Sequence, residues 1–199
     1  MKINEIFYSL QGEGAHTGTP AVFVRFSGCN LRCPFCDTEH QKGAEMSARQ
    51  IVDEVTKYPA EWVILTGGEP TLQNNDILLD LLHQSGKKVA IETNGTRQIL
   101  LDYDWITISP KQMFLAQPPK SRPQNGVINQ HSANEIKLVF DDLHGVDDYN
   151  IKAEHYYLQP CDVGNKEKNA VIVQHCIEYI KSHPKWKLSL QTQKILNVR

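Results

Sequence analysis

Residues 27–38 read SGCNLRCPFCDT, a stretch that places three cysteines within eight consecutive positions. The cysteines are Cys29, Cys33 and Cys36, and the stretch also contains a glycine and a proline, which favour a loop. In a chain without a recognisable signal peptide, such a cluster indicates metal ligation rather than disulfide bonds. Three thiolates leave one position open in a four-coordinate centre, so the fourth ligand decides what kind of site this is.

The size and composition of the chain predict one ordinary globular domain. The 199 residues are 40% hydrophobic and 22% charged, so we expect a single domain over residues 1–199 with a sizeable core. The formal net charge of −2 provides no general attraction to nucleic acid or to an anionic membrane. The apolar runs are short, and the first residues lack the apolar core of a signal peptide. We therefore expect a cytoplasmic protein with neither nucleic acid nor a membrane as a direct partner.

Apolar periodicity predicts an alternation of strands and helices. Ser47 and Gln50 have the spacing of a capping box, which predicts the start of a helix. Residues 110–134 contain four prolines and no clear period, which predicts a long loop. The predicted strands cover residues 6–10, 21–27, 62–66, 89–93, 105–109, 136–140, 156–159 and 188–191, and the predicted helical segments follow Ser47 and cover residues 76–85, 98–101 and 170–182.

Polar residues follow several of the predicted strands at the point where each strand ends. Strands separated by helices or short crossovers predict a parallel α/β sheet, and sites in such sheets assemble at the carboxyl ends of the strands. The chain is shorter than the about 250 residues of a full eight-unit barrel. We therefore expect an incomplete parallel (β/α) barrel with one site at its mouth. The residues at these strand ends are Cys29, Gly68, Glu69, Thr93, Asn94, Ser109, Pro110, Lys111 and Gln159.

The cysteines by themselves leave three kinds of metal site open. His40 lies close enough to complete a Cys3His zinc site. Cys161 could instead be the distant fourth ligand of an electron-transfer iron–sulfur cluster. The third interpretation is a cubane with three protein ligands and one iron open to a small molecule. Residues 66–70, TGGEP, favour the third, because unobstructed backbone groups and a carboxylate suit the ammonium group of an amino acid-like ligand.

The cysteine loop followed by a Gly-Gly-Glu-Pro strand end resembles the radical S-adenosylmethionine superfamily. The resemblance implies a [4Fe–4S] cluster on Cys29, Cys33 and Cys36, with S-adenosylmethionine chelating the open iron through its amino and carboxylate groups. It also implies reductive cleavage of S-adenosylmethionine to a 5′-deoxyadenosyl radical that abstracts a hydrogen atom from the substrate. The S-adenosylmethionine contacts implied by the resemblance are Phe35, Cys36, Asp37, Gly68, Glu69, Ser109, Pro110, Lys111 and Gln159.

Further motifs resemble one family within this superfamily, the 7-carboxy-7-deazaguanine synthases. The resemblance runs almost end to end and implies conversion of 6-carboxy-5,6,7,8-tetrahydropterin to 7-carboxy-7-deazaguanine with loss of ammonia. This conversion is a step toward queuosine and related deazapurines. The motifs are YSLQGEG at 8–14, VRFSGC at 24–29, CDT at 36–38, TGGEP at 66–70, ETNG at 92–95, SPK at 109–111, LQP at 158–160 and LQT at 190–192.

The resemblance also implies roles around the substrate. Substrate binding by Arg25 also has a chemical reason apart from the resemblance, since a guanidinium can hold the substrate carboxylate with two hydrogen bonds. A strand-end salt bridge is the alternative role for Arg25. The resemblance implies that Thr38 coordinates magnesium through its hydroxyl oxygen. Residue patterns assign no general base, and Glu13 is a candidate only because it lies in the substrate-side loop. The substrate-binding residues implied are Leu10, Gln11, Gly12, Arg25 and Thr66.

One departure and two rival functions accompany the resemblance. Gln193 stands where we expect histidine in many relatives, which leaves the contacts of the tail, residues 193–199, unassigned. A glycyl-radical-enzyme activase would share the cysteine loop but would not need the Gln11–Glu13 segment or Thr38. A zinc-stabilised binding module without catalysis is the rival from a different class. The resemblance further implies a flavodoxin or ferredoxin as reductant and a homodimer.

Overall fold

One sheet runs through the protein, which a computed structural model describes over residues 1–39, 41–73, 75–114 and 127–199. The described residues contain nine strands, which all belong to this sheet, and four α-helices. The strands are β1 (Lys2–Leu10), β2 (Pro20–Phe26), β3 (Ala44–Glu45), β4 (Trp62–Gly67), β5 (Lys88–Thr93), β6 (Trp105–Ile108), β7 (Ser132–Phe140), β8 (Lys152–Pro160) and β9 (Lys187–Leu188). The helices are α1 (Ala48–Val55), α2 (Asp76–Gln84), α3 (Lys166–Ser182) and α4 (Thr192–Leu196).

The sheet is mostly parallel and is not closed into a full barrel. Its strand order is β3-β1-β2-β4-β5-β6-β7-β8-β9, and every pairing from β2 to β9 is parallel. The predicted incomplete parallel (β/α) barrel is therefore confirmed. The exception is β1, which runs antiparallel to both β2 and β3. Only residues 11–19 connect β1 to β2, and a parallel connection needs a crossover of about a dozen residues or more.

The strands present alternate side chains to two different environments. On one face, Val24, Leu65 and Ile91 are fully buried in the cluster that also contains the apolar residues of α1 and α2. The opposite face carries a smaller apolar cluster that includes Phe7 and Phe23. Because strand side chains alternate with period two, the polar residues that alternate with the first cluster lie on the same side of the sheet as Phe23, here called the Phe23 face. No helix in the described ranges is long and apolar enough to cross a bilayer.

The start of α1 confirms the predicted capping box. The Ser47 hydroxyl oxygen accepts a hydrogen bond from the Gln50 amide (3.2 Å), and the Gln50 side chain accepts one from the Ser47 amide (2.8 Å). This reciprocal pair is the capping box that precedes α1. Gly86 follows the end of α2 with a φ of 78°, a left-handed conformation that glycine adopts without strain.

Other predictions at element ends were wrong. Residues 98–101 form no helical turn, and the Ile99 amide donates to the Gln130 side chain (3.0 Å). The last strand stops at Leu188 rather than 191, and the short helix α4 follows in the tail. The predicted loop 110–134 includes a 3-10 turn, Gln112–Phe114, and the first residues of β7, while residues 115–126 lie outside the described residues.

A close backbone contact joins the end of β4 to the cysteine loop. The Gly68 amide donates to the Phe26 carbonyl (2.9 Å), and the Glu69 amide donates to the Gly28 carbonyl (2.8 Å). A Cβ atom on Gly68 would overlap the Gly28 carbonyl oxygen. Glycine is therefore required at position 68 because the two backbones approach too closely for any side chain.

We predict that Gly68→Ala destabilises the protein, since the added methyl group must displace the backbone of the cysteine loop. The free energy of unfolding should fall by roughly 1–3 kcal/mol, the usual cost of overpacking. Urea denaturation followed by circular dichroism measures the change. Gly145→Ala is the matched control, because a Cβ atom there meets nothing within 4 Å and the residue does not have a positive φ. Equal unfolding free energies for the two variants would contradict the proposed constraint.

Candidate active site

A cavity of about 390 Å³ opens at the carboxyl ends of the parallel strands. The predicted convergence of strand ends is therefore present in the fold. Pro110 is the exception among the predicted S-adenosylmethionine contacts, since it is buried and does not line the described cavity. The predicted site residues that line the cavity are Glu13, Cys29, Cys33, Phe35, Cys36, Asp37, Thr38, Thr66, Gly68, Glu69, Ser109, Lys111 and Gln159.

The cysteine loop is held by its backbone and by one asparagine. The Asn30 side chain donates to the Thr96 hydroxyl (2.9 Å) and accepts from the Asn94 side chain (3.0 Å). Leu31 is buried, and its amide donates to the Cys29 sulfur (3.4 Å). These contacts fix the loop against the residues that follow β5, so the thiols face the cavity.

The three loop thiols fit a shared metal centre. All three are free, and burial raises the pKa of the Cys29 and Cys33 thiols, to which repulsion from the neighbouring loop thiols adds. Binding to a metal cation deprotonates such thiols, so a metal centre relieves this unfavourable charge. Within the described ranges, no three His, Cys, Asp or Glu side chains converge on one metal ion. A cubane instead binds each thiolate to a different iron, so this donor set fits a cluster.

The rival metal sites would each need one further ligand, His40 or Cys161. His40 lies outside the described residues. Cys161 lines the same cavity, but the charges that raise its pKa, after burial, are those of Asp141 and Asp162. The loop thiols, by contrast, influence one another.

Glu69 ties the ends of β4 and β5 together. Its side chain is 1% exposed, and one carboxylate oxygen accepts hydrogen bonds from the amide and hydroxyl of Thr71 (3.1 and 2.7 Å) and from the Thr93 hydroxyl (2.7 Å). The other oxygen accepts from the Asn94 amide (2.8 Å). A buried carboxylate with four donors is fully satisfied, so Glu69 holds the strand ends at a fixed separation.

Phe35 and Lys111 form the opposite wall of the cavity. The ring of Phe35 packs edge-on against Phe114, with 4.4 Å between the ring centroids. The Lys111 ammonium lies 5.9 Å from the Phe35 centroid and donates to the Ser109 hydroxyl. Burial, with repulsion from Lys137, lowers the pKa of Lys111 to about 8. The wall therefore combines an aromatic ring with a weakly solvated cation.

A second cavity of about 470 Å³ contains the predicted substrate-binding residues. Leu10, Gln11, Gly12 and Arg25 all line it. The two cavities are adjacent, because several residues line both of them. The shared residues are Glu13, Asp37, Thr38, Thr66, Gly67, Glu92, Gln191 and Lys194.

Arg25 makes the salt bridge that the sequence analysis gave as the alternative to substrate binding. Its Nε atom donates to a Glu5 carboxylate oxygen (2.8 Å), which is the strand-end salt bridge. Its Nη1 atom donates to the Thr38 hydroxyl (3.2 Å). The guanidinium also lies 5.6 Å from the centroid of the Phe7 ring. Arg25 and the predicted magnesium ligand Thr38 are therefore neighbours on one side of the second cavity.

Lys137 and Glu92 line the first cavity but were not among the site residues predicted from the sequence. The Lys137 ammonium lies 2.5 Å from a Glu13 carboxylate oxygen and 3.5 Å from one of Glu92. The hydroxyl of Thr66 donates to the other Glu92 oxygen (2.8 Å), and the Gln11 side chain donates to the first (3.1 Å). The sequence did contain a signal for Lys137. Glu135 and Lys137 alternate with buried apolar residues in β7, which places both charges on the Phe23 face of the sheet.

Glu13 is held as a carboxylate. Burial by itself would raise its pKa, but the Lys137 ammonium and hydrogen bonds from Gln193 and Gln191 lower the pKa of Glu13 to about 2. The two glutamine side chains each donate to the oxygen that does not contact Lys137 (3.1 Å in both cases). Glu13 is therefore a hydrogen-bond acceptor with very low basicity.

Comparisons with known proteins agree with this site. A model of the Radical SAM superfamily matches residues 23–113. The 7-carboxy-7-deazaguanine synthase of Bacteroides thetaiotaomicron is 50% identical over 199 residues, covering 100% of this chain and 98% of the relative. The Haemophilus influenzae enzyme of the same name is 37% identical, covering 98% and 93%.

A solved structure shares the fold as well. The crystal structure of QueE from Escherichia coli superimposes with a TM-score of 0.72 at 30% sequence identity, covering 95% of this chain and 92% of that one. The full-length sequence identity, the superfamily match and the shared fold all indicate the same family. The chain therefore belongs to the 7-carboxy-7-deazaguanine synthase family of the radical S-adenosylmethionine superfamily.

Proposed function

We propose that the protein is a radical S-adenosylmethionine lyase that converts 6-carboxy-5,6,7,8-tetrahydropterin to 7-carboxy-7-deazaguanine with loss of ammonia. The observation that carries this proposal is the pair of adjacent cavities, one walled by three free thiols and the other containing Arg25. The similarity along the full chain favours this activity over a glycyl-radical-enzyme activase or a zinc-stabilised binding module.

We assign the first cavity to the cofactors. Cys29, Cys33 and Cys36 would hold a [4Fe–4S] cluster, and the cluster with S-adenosylmethionine supplies a 5′-deoxyadenosyl radical for hydrogen abstraction. Gly68 lines this cavity with its backbone held close to the cysteine loop, and Glu69 keeps that backbone in place. The remaining contacts that we assign to S-adenosylmethionine are Phe35 at the adenine, with Asp37, Ser109, Lys111 and Gln159 along the cavity wall and Pro110 buried behind it.

We assign the second cavity to the pterin substrate. The Arg25 guanidinium would bind the substrate carboxylate, exchanging its present bond with Glu5 for a charge-assisted pair. Thr66 and the Gln11 side chain supply further polar contacts, and Leu10 and Gly12 also line this cavity. Binding across both cavities would bring the reacting carbon close to the cofactor cavity and away from bulk water.

Glu13 suits substrate binding better than proton transfer. A carboxylate whose pKa is about 2 takes up a proton poorly at neutral pH, so the candidate role as general base loses its chemical support. The same carboxylate is a strong acceptor for the N–H groups of a pterin ring. We therefore assign Glu13 to recognition of the substrate.

We propose that Thr38 contributes one oxygen ligand to magnesium, with the substrate carboxylate and water completing the coordination. Its hydroxyl lies beside Arg25, so a cation there and the guanidinium would hold the same carboxylate from two sides.

We also propose that the chain acts as one cytoplasmic domain, assembled as a homodimer and reduced by a flavodoxin or ferredoxin. The single sheet supports one domain, and the five free cysteines suit a reducing compartment. Helix α4 exposes 69% of Ile195 and 60% of Leu196, adjacent apolar side chains that suit a subunit contact.

Turnover of 6-carboxy-5,6,7,8-tetrahydropterin tests the proposed function. After anaerobic reconstitution to about four irons per chain, the protein should form 7-carboxy-7-deazaguanine and ammonia when S-adenosylmethionine, magnesium and dithionite are supplied. Liquid chromatography with mass spectrometry measures the product. Reduced flavodoxin or ferredoxin should replace dithionite, and failure of both would contradict the proposed reductant.

Cys33→Ala is the control for the cluster and should lose both the visible absorbance and all turnover. Formation of 5′-deoxyadenosine without any deazapurine in the wild type would contradict the substrate assignment. A colourless wild-type protein that retains zinc would contradict the cofactor assignment.

Thr38→Ala should retain the iron content of the wild type and lose most of the stimulation of turnover by magnesium, because one hard oxygen ligand is removed. Titration of the initial rate against magnesium measures this loss. Thr56→Ala, an exposed threonine at the end of α1, is the matched control and should respond as the wild type does. An unchanged magnesium response in Thr38→Ala would remove the metal role.

Sedimentation velocity tests the homodimer. The wild type should sediment as a dimer, and Leu196→Lys should shift it toward the monomer, because a charge placed in an apolar contact is desolvated without a partner. A monomeric wild type at micromolar concentration would contradict the dimer. A dimeric Leu196→Lys variant would show that the contact lies elsewhere.

A further inference from the structure

Lys137 is a buried cation of β7 on the Phe23 face of the sheet. Its side chain is 8% exposed, and its ammonium lies between two carboxylates, 2.5 Å from Glu13 and 3.5 Å from Glu92. A buried ammonium is expensive to desolvate and stays charged only when close partners offset that cost. The short distance to Glu13 makes it the principal partner.

The partners of Lys137 stand where the two cavities meet. Glu13 and Glu92 each line both cavities, and Lys137 itself lines the first. The residues that join β1 to β2 carry Glu13, whereas β5 carries Glu92. One ammonium therefore links carboxylates from two separate segments of the fold at the position where a substrate that spans the cavities must pass.

Lys137 provides the positive charge that compensates the carboxylates of Glu13 and Glu92. Glu135, also in β7, is buried, and burial raises its pKa even though the Ala15 amide donates to it (2.7 Å). Lys111 is the other buried cation nearby, but its ammonium donates to Ser109 and it repels Lys137. The Glu13 carboxylate contacts Lys137, Gln191 and Gln193, and the Glu13 amide donates to the Gln11 side chain. The charges of Glu92, Glu135 and Lys111 lie nearby.

We propose that Lys137 is a positioning residue, whose ammonium orients the carboxylates of Glu13 and Glu92 so that they accept hydrogen bonds from the N–H groups of the substrate. This inference rests on the proposed function and deepens it, because it assigns recognition of the nitrogen-rich ring to the carboxylates and their orientation to Lys137. Lys137 acts through these carboxylates and does not react with the substrate.

Removal of the ammonium should change the ionisation of Glu13 in a defined direction. In the wild type, Lys137 keeps the pKa of Glu13 at about 2, so the carboxylate is charged throughout the pH range of the assay. In Lys137→Met, burial acts without the opposing charge and raises the pKa of Glu13, by up to several units for a buried carboxyl. In this variant the Glu13 carboxylate is charged and accepts hydrogen bonds at high pH, and it loses its charge as the pH falls through its raised pKa.

The test combines a direct titration with kinetics on the reconstituted full-length protein. Carbon-13 labelling of glutamate side chains gives the Glu13 carboxyl signal, which is assigned by its loss in Glu13→Gln. The wild-type signal should not titrate between about pH 5 and pH 8, whereas the Lys137→Met signal should titrate within that range. The kcat/KM of Lys137→Met should fall by about tenfold for each pH unit below the new pKa and recover toward high pH.

Two further variants separate positioning from a loss of stability. Lys87→Met removes a partly buried ammonium that donates to the carbonyls of Tyr58 and Ala60, away from both cavities. It should leave the Glu13 titration and the pH profile unchanged. If Lys137→Met alone fails to fold, Glu13→Gln/Lys137→Met removes both charges and should fold with a flat pH profile.

Three results would overturn the inference. One is a Glu13 signal that titrates in Lys137→Met as it does in the wild type. The second is a kcat/KM that falls equally at every pH, which is what a merely structural lysine produces. The third is an acid limb that persists in the double variant. Because the titration needs no substrate, failed turnover by the wild type contradicts the proposed function, whereas an unchanged titration contradicts the role of Lys137.

Discussion

The close approach of the Gly68 backbone to Gly28 is the constraint on which the rest of the site depends. Amide donors at residues 68 and 69 bind carbonyls at the end of β2 and in the cysteine loop, which locks two strand ends together. The Glu69 carboxylate then binds the Asn94 amide, and the Asn94 side chain binds Asn30 within the cysteine loop. This closed circuit of hydrogen bonds explains why a Gly-Gly-Glu strand end accompanies the three thiols.

Charge pairs organise the neighbouring cavity in the same way. Arg25 has Glu5 as its counter-charge, and Lys137 has Glu13, so both cations are compensated within the protein. A substrate carboxylate would pair with Arg25, and substrate N–H groups would bind Glu13 while Lys137 continues to compensate its charge. The cavity is therefore preorganised by electrostatics, whereas the cofactor cavity is preorganised by backbone contacts.

Local patterns predicted most of the architecture and part of the site. Strand and helix periodicity identified the parallel sheet, and the cysteine spacing identified the thiol wall. The antiparallel β1, the end of β9 and the helix α4 were missed, because they depend on connection length and on tertiary contacts rather than periodicity. Lys137 was missed for a similar reason, since its partner Glu13 is 124 residues away and only the folded sheet brings them together.

The central claim is that one small molecule spans the two cavities, with its carboxylate at Arg25 and its reacting carbon beside the thiol-bound cofactor. An anaerobic crystal structure of the reconstituted protein with S-adenosylmethionine and 6-carboxy-5,6,7,8-tetrahydropterin tests it most directly. The account predicts iron on Cys29, Cys33 and Cys36, with the substrate carboxylate at Arg25 and its ring against Glu13. Substrate bound outside the second cavity, or a cluster that also uses Cys161, would contradict it.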